Sequence, residues 1–343
     1  MTDWISTYSS EFQVYSVNQD TWDDMDLIED VQSISLSRDA TDDVPLLETG
    51  SMERESSNPD EWSWYRIYMI ASQGGRDKIP IATLLFERGS SHMEKAVPVY
   101  TFTGNSVLKP VADRLYDRGD YAPAGCDGAQ FVADIIRRCV PLSVPINVNG
   151  SFTINEDVVF DLDVFSLEVV WKILDAANWC IRIDGRGGIT IEPKPSVPDL
   201  VLNQASASLL VPGIDKTLDL RGVPNRYIAV SDRDRAEARN EDPDLMGSYQ
   251  RRGRWIEYMD TSPILIDGED LQAYAERKLE EVSTVTQEFQ YTRDFYPNVV
   301  PFSLVRATLA DQGLEGDLRV LSHSCSFSKG IVFDETSGIE VRV

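Results

Sequence analysis

Between residues 12 and 103 the chain alternates apolar and polar side chains in runs too short for helices. The runs FQVYSVN, VQSISLSR, LLETGSMERE, WSWYRIYMIAS, IPIATLLFERG and AVPVYTFTG are separated by turn-forming clusters such as TDD, SSNPDE and QGGRD. A period of two sends successive side chains to opposite faces, so each run reads as a strand with one face to bury. Ile34 and Leu36 alternate with Ser33, Ser35 and Ser37. Past the acidic turn, Leu47, Thr49, Ser51, Glu53 and Glu55 face one way and Glu48, Gly50, Met52 and Arg54 the other. Strands repeated at this spacing predict a barrel or sandwich.

Helical spacing begins after Gly104. Leu108, Val111, Ala112 and Leu115 keep one face, with Pro110 in the tolerated first turn. Asp127 is placed to cap a second helix, with Gln130 reaching back and Phe131, Val132, Ile135, Ile136 and Cys139 as its buried stripe. PINVNGSFTI offers Asn149-Gly150 as a two-residue hairpin turn. Ser166 is expected to cap a third helix, with Leu167, Val170, Trp171, Leu174 and Ala177 on one side. CIRIDGRGGITIEP reads as a hairpin, and a proline-rich exit follows. Residues 104–199 are therefore expected to form a small α+β unit.

The remainder returns to strands. LRGVPNRYIAVS and RGRWIEYMD read as strands on either side of a charged loop over 232–247. Leu271, Tyr274, Ala275, Leu279 and Val282 then line one side of a helix, and 300–343 alternates strands and turns.

Composition excludes several functions. The chain has 343 residues, enough for two to four domains, and 42% hydrophobic residues, enough to fill their cores. Its 57 acidic against 32 basic residues give a net charge of −25. Such a chain lacks the cations that nucleic-acid binding needs to neutralise phosphates. The basic residues comprise only 8 Lys beside 24 Arg. An acid-rich, Lys-poor surface fits a protein from high-salt cytoplasm, where screening relieves self-repulsion; an acidic protein of ordinary salt is the other reading. No apolar run approaches the ~18 residues of a membrane-spanning helix. The start MTDWISTYSSEF has neither a basic n-region nor an apolar h-region, so no signal peptide is expected.

Candidate chemistry is sparse. Of the two histidines, His92 has no nucleophile elbow near it and His323 falls in a strand-like stretch. Neither has a partner at metal spacing. Asp157, Asp161 and Asp163 could ligate calcium but lack the glycine and terminal Glu of an EF-hand loop, so they read as a solvated acidic turn. Gly185, Gly187 and Gly188 resemble a phosphate loop only superficially; they lie between two strands with no Lys-Ser/Thr after them, as a hairpin turn would. Cys126, Cys139, Cys180 and Cys325 form no C-x-x-C pair and read as buried free thiols. Trp62 and Trp64 share a strand face and are expected to pack a barrel. No catalytic, cofactor-binding or metal-ligating set is expected.

Five stretches in this order carry a resemblance: SLSRDATDDVPLLETGS (35–51), YAPAGCDGAQFVADIIRRC (121–139), WKILDAANWCIRIDGRGGITIEPKP (171–195), GVPNRYIAV (222–230) and DFYPNVVPFSLVRATLADQGLEGDLRVLSHS (294–324). The chain resembles the tail-tip or baseplate hub proteins of tailed viruses. That resemblance implies a mainly β fold with α+β insertions, in which two tube-type β-barrels are joined by a small α+β unit. Residues 1–103 would be the first barrel, 104–199 the α+β domain, 200–262 and 300–343 the second barrel, and 263–299 a helical insertion.

The resemblance also implies a non-enzymatic virion protein, made in the host cytoplasm. It would be a homotrimer whose six barrels adapt a sixfold tail tube to a threefold tip and form the genome exit channel. Its partners would be a tube or distal tail protein above, tip or fibre proteins below, and the tape-measure protein. Viral DNA would pass without specific binding. The acid-rich balance would suit a virus of a halophilic archaeon. The competing expectation is a halophilic carbohydrate-active hydrolase using a carboxylate pair. A cell-surface adhesin is weakened by the missing signal peptide.

Overall fold

A computed structural model describes residues 9–40, 46–55, 62–72, 75–94, 97–203, 210–218, 220–231, 234–294, 296, 299–309, 311, 313–327 and 332–342. The first part holds strands β1 (Ser9–Val17), β2 (Asp24–Ile28), β3 (Val31–Asp39), β4 (Glu48–Arg54), β5 (Trp62–Ser72), β6 (Arg76–Glu94) and β7 (Val97–Asn105). Then come α1 (Lys109–Ala112), β8 (Tyr121–Ala122), α2 (Gly128–Arg137), β9 (Ile146–Val148), β10 (Val158–Val159), α3 (Ser166–Ala176), β11 (Trp179–Ile183) and β12 (Ile189–Pro193). The third part has β13 (Leu200–Leu202), β14 (Leu210–Leu218), β15 (Arg226–Val230), β16 (Arg235–Arg239), α4 (Tyr249–Arg252) and β17 (Glu257–Asp260). It ends with α5 (Leu271–Val282), β18 (Thr284–Asp294), β19 (Leu304–Leu309), β20 (Leu314–Ser326) and β21 (Val332–Arg342). The chain is mainly β with small helical insertions.

Both ends of the chain contribute to one sheet. Its strands run in the order β14-β18-β21-β20-β3-β4-β7-β6-β5-β1-β2, with β13 and β19 attached beside β20. Among the described residues no pairing closes this sheet into a ring. The early strands bury Ile34, Leu36, Met52, Ile67, Met69, Phe86 and Phe102 in one core. The late strands bury Phe289, Tyr291, Val305, Leu318 and Val320 in another.

Strand β20 passes between these two cores. Leu318 and Val320 belong to the late core, whereas Cys325 and Phe327 belong to the early one. The pairing of β20 with β21 slips between Val320 and Ser322, so Leu321 is the extra residue. One added residue resets the period of two. Side chains at 318 and 320 point inward before the slip, and those at 323, 325 and 327 after it. Along one edge, β19 pairs with Leu314–Arg319 and β3 with Ser322–Ser326. The β3–β20 ladder is the seam between the two halves.

The α+β unit covers the other face of β5 and β6. Helices α2 and α3 bury Val132, Ile136, Val170, Ile173 and Leu174 with Ile181, Ile189 and Ile191 of the β11–β12 hairpin. Asp127 caps α2 by accepting from the amides of Ala129 (3.0 Å) and Gln130 (3.3 Å), as the sequence implied. The Gln130 side chain turns to Asp134 instead of reaching back. The residue capping α3 is Phe165, whose amide donates to Glu168, so Ser166 is already inside the helix. Helix α1 stops at Ala112, and Leu115 is exposed rather than completing its stripe.

Three other expectations are corrected. The 146–154 segment turns at Gly150 (φ +105°) but forms no hairpin. Strand β9 pairs in parallel with β12, which puts Ile146 and Val148 against the unit's core, and Ile154 bridges to Ile266. The stretch 200–262 is not all one barrel. Strands β13 and β14 join the main sheet, but β16-β15-β17 form a separate three-stranded sheet. Strand β16 lies in the expected charged loop, because Ala236 and Ala238 are small enough for α5 to pack over it through Tyr274 and Ala275. In the stretch expected as a helical insertion, α5 is followed by β18, whose Phe289, Tyr291 and Arg293 alternate inward in the main sheet.

Candidate functional site

The glycine-rich turn is a docking element. Asp184 organises it, accepting from the amides of Arg186 and Gly188 at 2.8 Å each. Its carbonyls face the sheet: Trp22 Nε1 donates to Arg186 O (2.7 Å), Arg66 Nη2 to the same oxygen (3.2 Å), and Thr83 Oγ1 to Gly185 O (3.1 Å). A Cβ on Gly185 would lie 2.1 Å from the carbonyl oxygen of Pro80. The residue must be glycine because two backbones touch there. Trp64 stacks edge-on against Trp22 (5.2 Å) at this junction rather than inside the barrel-like core; the Trp62 side chain lies outside the described residues.

At the seam a polar row crosses five strands on the buried face. Tyr291 stands opposite Glu335, Glu335 opposite His323, His323 opposite Arg38, and Arg38 opposite Glu48. All five are buried. Arg38 Nε meets Glu48 Oε1 at 2.5 Å, and Arg38 Nη1 lies 3.3 Å from His323 Nε2. Arg38 also reaches the carbonyl of Ile81. Arg293 meets Glu335 through Nε (2.7 Å) and Nη2 (2.5 Å), and Tyr291 donates to the other oxygen of Glu335 (2.5 Å).

Burial and the neighbouring charges shift two of these groups. Burial, with the positive charges of Arg38 and Arg293, holds His323 well below the usual imidazole range. Burial raises Glu48 to about 7 against the opposing pull of Arg38. Glu48 Oε2 has no hydrogen-bond partner among the described residues, which agrees with that direction. A neutral imidazole between two guanidinium groups is a structural spacer; His92 lies exposed on β6, away from this row.

The open face above the row is polar and uncrowded. Three in-register rows cross it: Asp215–Gln290–Thr336–Ser322–Asp39, Thr292–Asp334–Ser324–Ser37–Thr49, and Ser326–Ser35–Ser51–Thr103–Glu87. No position in these rows carries a cation, and four carry acids. Ser35 and Ser51 hydrogen bond at 2.9 Å, and Thr292 donates to Asp334 at 2.7 Å. Farther along, on β19, Arg306 is held by both carboxylate oxygens of Asp317 (2.7 and 2.9 Å). Short hydroxyl side chains make a smooth wall that offers no cation to a phosphate.

The remaining sequence candidates are dispersed. Asp157 accepts from the Ala124 amide (2.7 Å), and among the described residues no group of three or more His, Cys, Asp or Glu could hold a metal ion. The four cysteines are free; burial pushes the Cys180 and Cys325 thiols up to about 12. Among the described residues, no helix is long and apolar enough to cross a membrane.

No family model and no curated protein matches the chain. Solved structures do. A tail protein from Neisseria meningitidis MC58 superposes with a TM-score of 0.70 at 9% identity, covering 97% of each chain. The chain has a tail-protein fold. The 43 kDa tail protein of prophage MuSo2 from Shewanella oneidensis gives 0.62 at 12% identity, over 96% of this chain and 98% of that one. The E. coli c3393 protein gives 0.52 at 11% identity, over 91% of this chain and 76% of that one. It is described as a type VI secretion component similar in structure to the T4 bacteriophage tail proteins gp27 and gp5.

The seam itself was missed by sequence reasoning, although its signals are present. Arg38 continues the inward phase of Ile34 and Leu36, His323 that of Cys325 and Phe327, and Arg293 that of Phe289 and Tyr291. A charged residue on the buried phase of a strand predicts a buried partner.

Proposed function

We propose that this protein is a structural subunit of a viral tail, the hub at the distal end of the tail tube. Three copies form a ring in which the two halves of each subunit supply six quasi-equivalent positions. These meet a sixfold tube or distal tail protein above and a threefold tip, with its fibre proteins, below. The open face of the sheet lines the genome exit channel, and the tape-measure protein ends against it. The observation that carries this reading is the single sheet through both halves, with three hydroxyl-rich rows on its open face that carry no cation. Whole-length likeness of fold to phage tail proteins supports it. In this reading the protein belongs to the virion and performs no catalysis. The net charge of −25 and scarcity of Lys support a host with a high-salt cytoplasm.

Sedimentation of the purified chain in molar salt tests the assembly. A concentration-dependent trimer is expected, because two related halves per chain satisfy six positions with three copies. A monomer or dimer persisting at assembly concentrations overturns the reading.

A further inference from the structure

The β3–β20 ladder joins the two halves through five residue pairs, flanked by bonds from Ala40 N to Leu321 O (2.7 Å) and from Phe327 N to Ile34 O (2.9 Å). On its buried face it carries one apolar pair, Leu36 with Cys325, and one polar pair, Arg38 with His323. Arg38 Nη1 lies 3.3 Å from His323 Nε2. A guanidinium can only donate, so Nε2 accepts and carries no proton. A proton gained there would set one N–H against another. It would also place a third buried cation beside Arg38 and Arg293.

The acids around this imidazole are engaged elsewhere. On β21, Glu335 holds Arg293 with Oε2 (2.5 Å), and its Oε1 accepts from Tyr291 (2.5 Å) and Ser337 (3.2 Å). On β4, Glu48 faces Arg38, and burial raises it to about 7, so its charge is incomplete near neutrality. On β6, the carbonyl of Ile81 accepts from Arg38. From the α+β unit, Asp184 pushes Glu48 further toward its neutral form. Arg182, Arg186 and Glu192 of that unit line a cavity of about 440 Å³ with Arg38 and Asp184. The surroundings hold His323 in place only while it is neutral.

The two halves are also joined by a second route. Trp22, Arg66 and Thr83 of the early half bind the glycine-rich turn of the α+β unit. The late half holds the same unit through Lys278 Nζ to Asp175 Oδ2 (3.0 Å). Two amide bonds add to this, Thr153 N to Asp267 Oδ1 and Gly268 N to Asn155 Oδ1, each 2.8 Å. We propose that the β3–β20 ladder is an acid-opened hinge: a proton on His323 parts β20 from β3 while the α+β unit keeps the halves attached. This goes beyond the hub reading and stands without it, because the device lies within one chain. Opening draws Cys325 and Phe327 out of the early core, so the Cys325 thiol reports it. Cys180, buried on β11, reports loss of the tether.

The test labels the full chain with dithiodipyridine from pH 6.5 to 5 and reads each cysteine by peptide mass spectrometry, with free cysteine as the reference at each pH. Glu48→Gln is the background, since it removes the carboxyl whose titration opposes that of His323. Labelling of Cys325 should rise by up to about tenfold for each pH unit, as uptake of one proton requires, while Cys180 stays protected. Adding His323→Gln, which keeps an acceptor for Arg38 but takes no proton, should make the Cys325 profile flat. Cys325 labelling that ignores pH, a rise that survives His323→Gln, or Cys180 labelled in step with Cys325 would each overturn the hinge. Hydrogen exchange on the unsubstituted chain gives a second reading. Below about pH 4.5 the amides of β3 and of Ser322–Ser326 should lose protection before those of the β11–β12 hairpin, and simultaneous loss counts against the proposal.

Discussion

Replacing Gly185 by alanine should loosen the α+β unit from the sheet without disturbing either one's own core. The added Cβ would stand 2.1 Å from Pro80 O, 2.5 Å from Pro80 C and 3.0 Å from Ile81 N. All three are backbone atoms, so no side chain can swing aside, and the turn must retreat by roughly 1 Å to reach ordinary contact. That retreat stretches the bonds from Trp22 Nε1 and Arg66 Nη2 to Arg186 O and from Thr83 Oγ1 to Gly185 O, now 2.7, 3.2 and 3.1 Å. At about 1 kcal/mol for each neutral bond and somewhat more for the guanidinium, the loss is about 2–4 kcal/mol. Gly75→Ala is the control, since nothing lies within 4 Å of its Cβ position. Urea unfolding with hydrogen exchange should show α2, α3 and the β11–β12 hairpin opening earlier in Gly185→Ala, with Gly75→Ala unchanged. Native-like protection of the hairpin in Gly185→Ala would refute the claim that backbone contact holds the units together.

Acid should act at the seam in a way that two substitutions separate. The folded state resists protonating His323, so its contribution is complete above the imidazole's usual ~6.5 and is lost as pH falls, at about 1.4 kcal/mol per unit. Glu48, raised from 4.5 to about 7, works the other way: between those values the folded state holds the extra proton and stability falls as pH rises. The two slopes oppose each other over about pH 4.5–6.5. Glu48→Gln should therefore reveal a fall in stability on acidification below about pH 6.5, and His323→Gln a rise down to about pH 4.5, both read by urea midpoints. Equal profiles in the two variants would contradict the assignment. At −25 per chain the native protein should also melt several degrees higher in molar salt than at low ionic strength, and an unchanged melting temperature would remove the case for a high-salt host.

The legible parts of the fold are those where local pattern and long-range packing agree. The alternation of Ile34 and Leu36 with serines marks β3 because that strand buries one face and opens the other. The β11–β12 hairpin is legible because Gly187 (φ +76°) and Gly188 turn the chain within a few residues. Strand β16 was not legible. Its RAEAR sequence has a loop's charge, and only pairing with β15 and cover from α5 make it a strand. The exposed apolar pairing in the α+β unit was equally hidden. Tyr121 and Val159 are far apart in sequence, and Leu115 follows a helical spacing that the chain abandons after Ala112.

The buried charges of the seam have a structural role. His323 and Arg38 meet across 285 positions of sequence, and the β3–β20 ladder that joins them has only five residue pairs. A short ladder between serine-rich strands is weakly specified by hydrophobic contacts, since Leu36 opposite Cys325 is its main apolar pair. A slip by one residue would turn either Arg38 or His323 to the open face and bury serines or Asp39 in its place. If β3 turns, Glu48 is left buried without its guanidinium, at a cost of about 3–5 kcal/mol; if β20 turns, Arg293 and Glu335 lose their neighbour. When β3 turns, the slip also puts a guanidinium among three rows that carry no cation. The row beneath the sheet thus fixes the register, and the register keeps positive charge out of the three hydroxyl-rich rows above it.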